Sequence, residues 1–244
     1  MRTTLAAIAL VAFCTSLSIS VRAQSENRDQ VLNQIQAKRA ELSALEKKFL
    51  APADEDLSAH AEFLKQPDTG LIRLLPREVF DSEVYRRQQK TLTIRGGGAY
   101  YSFSRLTHEY GFGSDLELDS NYLAVGFAGA DYGMLVKLGD VRLEDVSIDL
   151  PSSRFISTYM PPTLEPDVRA EQRRFGLGTS VDNTLYKERV PVEANTSYLL
   201  RSINFDETDV LVGLRVVRKD SDGSVIILWK LLKKYPKPEL VRSN

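Results

Sequence analysis

Cysteine, histidine and tryptophan are nearly missing from this chain: its 244 residues hold one cysteine, two histidines and one tryptophan. Cys14 lies in an N-terminal apolar run, outside the segments expected to fold. A disulfide framework and thiol catalysis are therefore excluded, and stability has to come from packing. With only His60 and His108, a His-rich or Cys-rich metal centre is excluded as well. A mixed site from His108, Glu109 and Asp115 is the remaining option, but a strand-end histidine facing water explains the residue more simply. No metal and no cofactor is expected. Gly-x-Ser-x-Gly is absent; Gly111-Phe112-Gly113-Ser114 lacks the following glycine in register. Gly-x-Gly-x-x-Gly is absent too, which argues against nucleotide binding. Neither sign of charge dominates: 32 basic against 33 acidic residues leave no footprint for nucleic acid. There is no internal repeat and no low-complexity tract.

What is present begins with a leader. Arg2 precedes an uncharged, small-residue-rich apolar run from Leu5 to Ile19, and Val21-Arg22-Ala23 offers a cleavage site after Ala23. Residues 1–23 read as a signal peptide, with a retained anchor as the rival; alanine, serine and threonine dilute the run too much for a good span. Phe13 stands where a lipid-acceptor cysteine needs a small residue, which argues against lipidation of Cys14. Cleavage removes Arg2 and Arg22 and no acid, so the net charge moves from −1 to −3. The expected location is extracytoplasmic, periplasmic or secreted, with no membrane span after cleavage.

Residues 24–66 read as a helical arm. Over Ser25 to Leu50, Val31, Ile35, Leu42, Leu45 and Phe49 repeat at spacings of four, seven, three and four, interrupted by Lys38. The stripe predicts an amphipathic helix that docks on its own domain, tethers it, or self-associates as a short coiled coil. Pro52 stops it, and a second short helix is expected over Glu55 to Lys65 before the turn string Pro67-Asp68-Thr69-Gly70. From there the period changes. Leu71 to Leu75 is a short apolar run. Strands are expected at Thr91–Ile94, Ala99–Ser104, Leu116–Leu118, Tyr122–Phe127, Met134–Leu138 and Val141–Ile148, then at Ser197–Phe205, Val210–Lys219 and Val225–Lys233. An irregular excursion is expected around residues 151–180. The pattern predicts a mainly β fold, an antiparallel β-sandwich or open barrel over residues 67–244. The loop Lys219 to Ser224 should join the last two strands as a hairpin, with Trp229 buried. Both alternating residue sets of that hairpin are apolar, so both sheet faces need cover, and the N-terminal helices are the expected one.

Chemistry is harder to find. Asp115 to Asn121 alternates acid and neutral like a calcium loop. However, Ser120 stands where such a loop needs glycine, and Gly126 where it needs the bidentate glutamate. Period-two alternation explains it better, with Leu116 and Leu118 inward and Asp115, Glu117 and Asp119 toward water. Asp220-Ser221-Asp222-Gly223 is first a hairpin turn. Two carboxylates would suffice for a glycosidase, but nothing singles out a pair. What stands out is enrichment. Eight of the 21 aromatics lie between Tyr100 and Tyr132, and nine of the 14 glycines between Gly96 and Gly139. The string RGGGAYYSFSR at 95–105 is the densest part. Aromatics, not a helix pattern, follow its glycines, so a phosphate cradle does not fit. A strand bend packed by aromatics is the first reading, and a flat platform for a sugar or peptide the second. On the second reading the ligand-binding candidates are Tyr100, Tyr101, Tyr110, Tyr132 and His108.

The tail TSYLLRSINFDETDVLVGLRVVRKDSDGSVIILWKLLKKYPKPEL, with GGGAYYSFSR and GFAGADYG, resembles exported bacterial β-rich proteins with no assigned function. The resemblance spans about two thirds of the chain and implies a domain of its own kind, with no activity or site residue to carry over. The expected function is an exported, non-catalytic binding or structural module with a protein or glycan ligand. The alternative is an extracytoplasmic hydrolase with a site in residues 95–133.

Overall fold

The computed structural model describes residues 27–80, 92–111 and 113–242, so the leader lies outside the described residues. The chain divides into two compact units, Met1–Phe49 and Leu50–Asn244. Residues 27–49 of the first are helical, and this helix, α1, ends at Leu50. No described helix is long and apolar enough to cross a membrane.

The second unit is mainly β, with antiparallel sheets. Its strands are β1 Thr69–Leu74, β2 Tyr100–Tyr101, β3 Leu116–Asp119, β4 Tyr122–Ala124, β5 Tyr132–Gly139, β6 Thr179–Val181, β7 Thr184–Tyr186, β8 Arg189–Pro191, β9 Thr196–Asn204, β10 Thr208–Lys219 and β11 Val225–Lys234. Short helices are α2 Asp54–Ala59, α3 Ala61–Leu64, α4 Arg77–Phe80 and α5 Arg154–Thr158; α6 Glu165–Leu177 is longer. The larger sheet has the order β1-β11-β10-β9-β5, the smaller β2-β3-β4-β8, and β6-β7 form a separate hairpin.

The expected hairpin lies at the middle of the larger sheet. β10 pairs with β9 on one side and β11 on the other. Alternation then decides the layers. Val210, Val212, Leu214 and Val216, with Val225, Ile227 and Trp229, share one core with Leu116, Leu118, Leu123 and Val190 of the smaller sheet. Leu199, Ile203, Leu211 and Leu228 face the other way, into a second core with Phe63, Leu143, Val146, Ile156, Val168 and Phe175.

That second core corrects two expectations. Residues 151–180 are not an irregular excursion: they fold into α5 and α6, whose Ile156, Val168 and Phe175 are fully buried over the sheet. Glu165, Pro166 and Asp167 suit a helix first turn, and Gly178 ends α6 at φ 91°. Most of the cover therefore comes from residues 141–178, with Phe63 and Leu64 from the N-terminal helices among the described residues. The expected arm boundary also moves. α2 and α3 belong to the β unit, where Phe63 is buried and Asp56 is ion-paired with Arg218.

Two expected strands are absent. After Gly139 turns the chain at φ 81°, residues 143–145 form a 3₁₀ turn, and Leu143 and Val146 pack onto the sheet from outside. Residues 92–94 lead into a turn, with Thr91 outside the described residues. The turn is set by Gly96, Gly97 and Gly98, all at positive φ (81°, 60° and 79°), a run that L side chains rarely tolerate. The triple glycine is thus a bend that delivers Tyr100, Tyr101 and Phe103 into packing.

Trp229 is 4% exposed, as the hairpin requires. Phe103 meets its ring edge-on, with centroids 5.2 Å apart. Gly70 pairs across from it, and a Cβ there would come within 2.6 Å of Nε1, so glycine lets the indole lie across β1.

Candidate functional site

The five candidate residues do not assemble into one surface. Tyr100, Tyr101 and Tyr132 are buried at 2–6% exposure. Tyr100 packs with Tyr110 and Phe127, and its hydroxyl donates to Glu117 at 2.9 Å. Tyr101 packs with Phe103, His108 and Trp229, and burial pushes its hydroxyl up to about 12. His108 Nε2 lies 3.0 Å from the Arg73 carbonyl, and burial lowers its pKa to about 4. Tyr132 lies on the opposite face of the larger sheet. There Tyr159 donates to Glu171 at 2.6 Å, so Tyr132 donates to Tyr159 at 2.7 Å.

The alternating acids also depart from expectation. Asp115 precedes β3 and turns in between the sheets, where it is fully buried. Phe103 N–H donates to one oxygen at 2.8 Å and Asn204 to the other at 2.9 Å. Burial outweighs these bonds and pushes its pKa up to about 7. Glu117 is 3% exposed, bonded by Tyr100 and by Arg77 at 2.7 Å. Glu117 keeps the period-two alternation along β3 and is covered by flanking segments, whereas Asp115 lies just before the strand and does not follow it. Among the described residues no group of three or more His, Cys, Asp or Glu is placed to hold a metal.

A concave site forms instead where the edges of the two sheets meet. β5 is the outer strand of the larger sheet and β8 of the smaller. Just before β8 the chain bonds to β5: Leu135 N–H donates to Lys187 O at 2.7 Å and Lys187 N–H returns to Leu135 O at 3.2 Å. The β6-β7 hairpin stands beside this junction. Its two-residue turn, Asp182-Asn183, has both φ positive (49° and 61°), the geometry of a tight hairpin turn that Asp and Asn tolerate. The resulting cleft holds about 640 Å³. That volume is within the range of small-ligand sites.

Its lining combines apolar walls, from Val136, Leu138, Leu185 and Val190, with polar groups, from Tyr122, Ser152, Asn183 and Thr184. Three cations join them: Lys137, Lys187 and Arg189. Lys137 pairs with Glu193 at 2.6 Å. Arg189 pairs with Asp119 at 2.8 Å and lies flat over the Tyr122 ring, 4.2 Å from its centroid. Sheet register explains the stack. Asp119 faces Tyr122 across β3-β4, and Arg189 faces Ala124, two residues along the same face. Lys187 makes no side-chain ion pair or hydrogen bond among the described residues, and its stem lies over Gly178. One cation is thus left to a visiting anion, beside a guanidinium held flat with donors to spare.

Sequence reasoning missed the cleft. Tyr122 belongs to the aromatic cluster it singled out, and at 39% exposure it is that cluster's surface member here. The three cations read as ordinary solvent-facing strand residues. Comparison with protein-family models, curated proteins and solved structures returned no match.

Proposed function

We infer that the chain is an exported, non-catalytic binding module, a two-sheet sandwich that holds an acidic glycan at its open edge. The observation that carries this reading is the cleft between β5 and β8, where Arg189 is stacked on Tyr122 and Lys187 has no counter-ion among the described residues. A sugar ring offers an apolar face and hydroxyls to the mixed walls, and a carboxylate or sulfate supplies the anion that Lys187 lacks. The leader motif supports a periplasmic or secreted location. The hydrolase reading of residues 95–133 draws no support from the site's geometry. His108 is bonded to a backbone carbonyl under Tyr101, and Asp115 has both oxygens engaged inside the core.

Calorimetric titration with uronic-acid oligosaccharides tests the reading, with a neutral oligosaccharide of equal length as the control. Binding should weaken with added salt, and Lys187→Ala should weaken it by about tenfold or more, the worth of one charge-assisted contact. Equal binding of the neutral sugar, or no effect of Lys187→Ala, overturns the assignment.

A further inference from the structure

We propose that α1 pairs with the same helix of a second copy of this chain, running antiparallel to it. The proposal is independent of the cleft and its ligand.

The argument starts from spacing. Val31, Ile35, Lys38, Leu42, Leu45 and Phe49 alternate steps of four and three without a break. That is a 3.5-residue repeat, which keeps its seam against a companion helix; a helix docked on a globular face drifts at 3.6. Val31, Ile35, Leu42 and Leu45 on that line are 40–59% exposed. Four aliphatic residues on one line are costly to leave in water, and a lone helix of this length is marginal.

Lys38 chooses the orientation. In a parallel pair it faces Lys38 of the other copy, two like charges inside the seam. The same arrangement sets Glu41 against Glu46, a second repulsion. In the antiparallel pair Ile35 faces Leu45 of the second copy and Lys38 faces Leu42. Every described seam position then finds a mate, with Val31 closing against Phe49. Near the two-fold axis, Lys38 of each copy lies beside Glu41 of the other. The two heads already meet within one helix, at 2.7 Å. The axis thus gathers two cations and two anions. Arg39 and its mate lie on the other flank at the solvent edge, where salt weakens their repulsion.

The test is sedimentation velocity on the full chain carrying Cys14→Ser, from about 1 to about 200 μM, because a three-heptad seam gives a concentration-dependent dimer. A monomer–dimer equilibrium is expected. Leu42→Lys should leave the chain monomeric with its tryptophan fluorescence unchanged, since leucine and lysine have similar helix propensity. Lys38→Leu should tighten association by about tenfold or more. A chain that stays monomeric throughout overturns the proposal. So does a Leu42→Lys chain whose mass is unchanged but whose β unit melts earlier, because α1 would then cover its own domain. Orientation is read by oxidising a mixture of Ile35→Cys and Leu45→Cys chains. Mixed disulfide pairs are expected, and a preference for Ile35→Cys pairing with itself overturns the antiparallel arrangement.

Discussion

Replacing Asp209 with alanine should be among the most damaging single changes in the β unit. Arg201 projects from β9 under the helical layer, and its side chain is 1% exposed. Asp209 holds it with two bonds, at 2.9 and 2.8 Å, and burial raises the carboxyl pKa. Its guanidinium also donates to the carbonyls of Ile156, within α5, and Tyr159, just after it, at 2.9 and 2.7 Å, and Tyr235 stacks at 3.7 Å. Asp209→Ala leaves that cation without a counter-charge where water cannot reach it. Removing one partner of a buried pair costs about 3–5 kcal/mol. With a urea slope of about 2–3 kcal/mol/M for a unit of this size, the midpoint should fall by about 1–2 M. Urea titration followed by the fluorescence of Trp229 measures it. The double change Arg201→Met with Asp209→Leu should recover most or all of the loss, because apolar replacement of a buried pair is often neutral or better. If Asp209→Ala costs less than about 1 kcal/mol, the pair is effectively solvated and the reasoning fails.

Two further outcomes are expected. Asp115 has its pKa raised from the ordinary 3.8 to about 7 by burial, so the folded state holds its proton more tightly. Its stabilising contribution is full below pH ~4 and fades as pH rises through 7, worth up to about 4 kcal/mol. His108, lowered to about 4, has the opposite sign: its contribution is full above its ordinary value of 6.5 and fades as pH falls. The slope should therefore be read as the difference between wild type and Asp115→Asn, and a carbon-detected carboxyl titration midpoint near 4 would refute it. Trp229→Ala should cost about 3–5 kcal/mol as a large core deletion. Trp229→Phe should cost less, since the buried Nε1 has no hydrogen-bond partner among the described residues. A water-like emission maximum for Trp229 contradicts both expectations.

The features legible in the sequence were those encoded by neighbours. The β10-β11 hairpin shows itself because alternation on both strands brackets a short polar loop with a glycine. The bend at Gly96 to Gly98 shows itself because only glycine tolerates three positive φ values in succession. The helical layer was hidden for a local reason too. Prolines at 151, 161, 162 and 166 cut residues 141–178 into pieces shorter than the window in which a helical period becomes visible. Asp115 misled because the alternation rule assumes a strand, and β3 begins one residue later. The cleft lies beyond any local pattern: it exists because β5 and β8, some fifty residues apart, are joined at Leu135 and Lys187.

The strand order of the larger sheet bears on how the chain comes into being. β1 is laid down early, yet its partner in the sheet is β11, which ends at Lys234. Synthesis and any threading through a pore run from the N-terminus. The first strand must therefore wait for β11, more than 150 residues later, before Ile72 and Leu74 are covered by their sheet partner. The fold closes from its far end, and such sequence-distant pairings are slow to form. Until β11 is available, β1 has no partner in the sheet and one edge of the larger sheet stays unfinished.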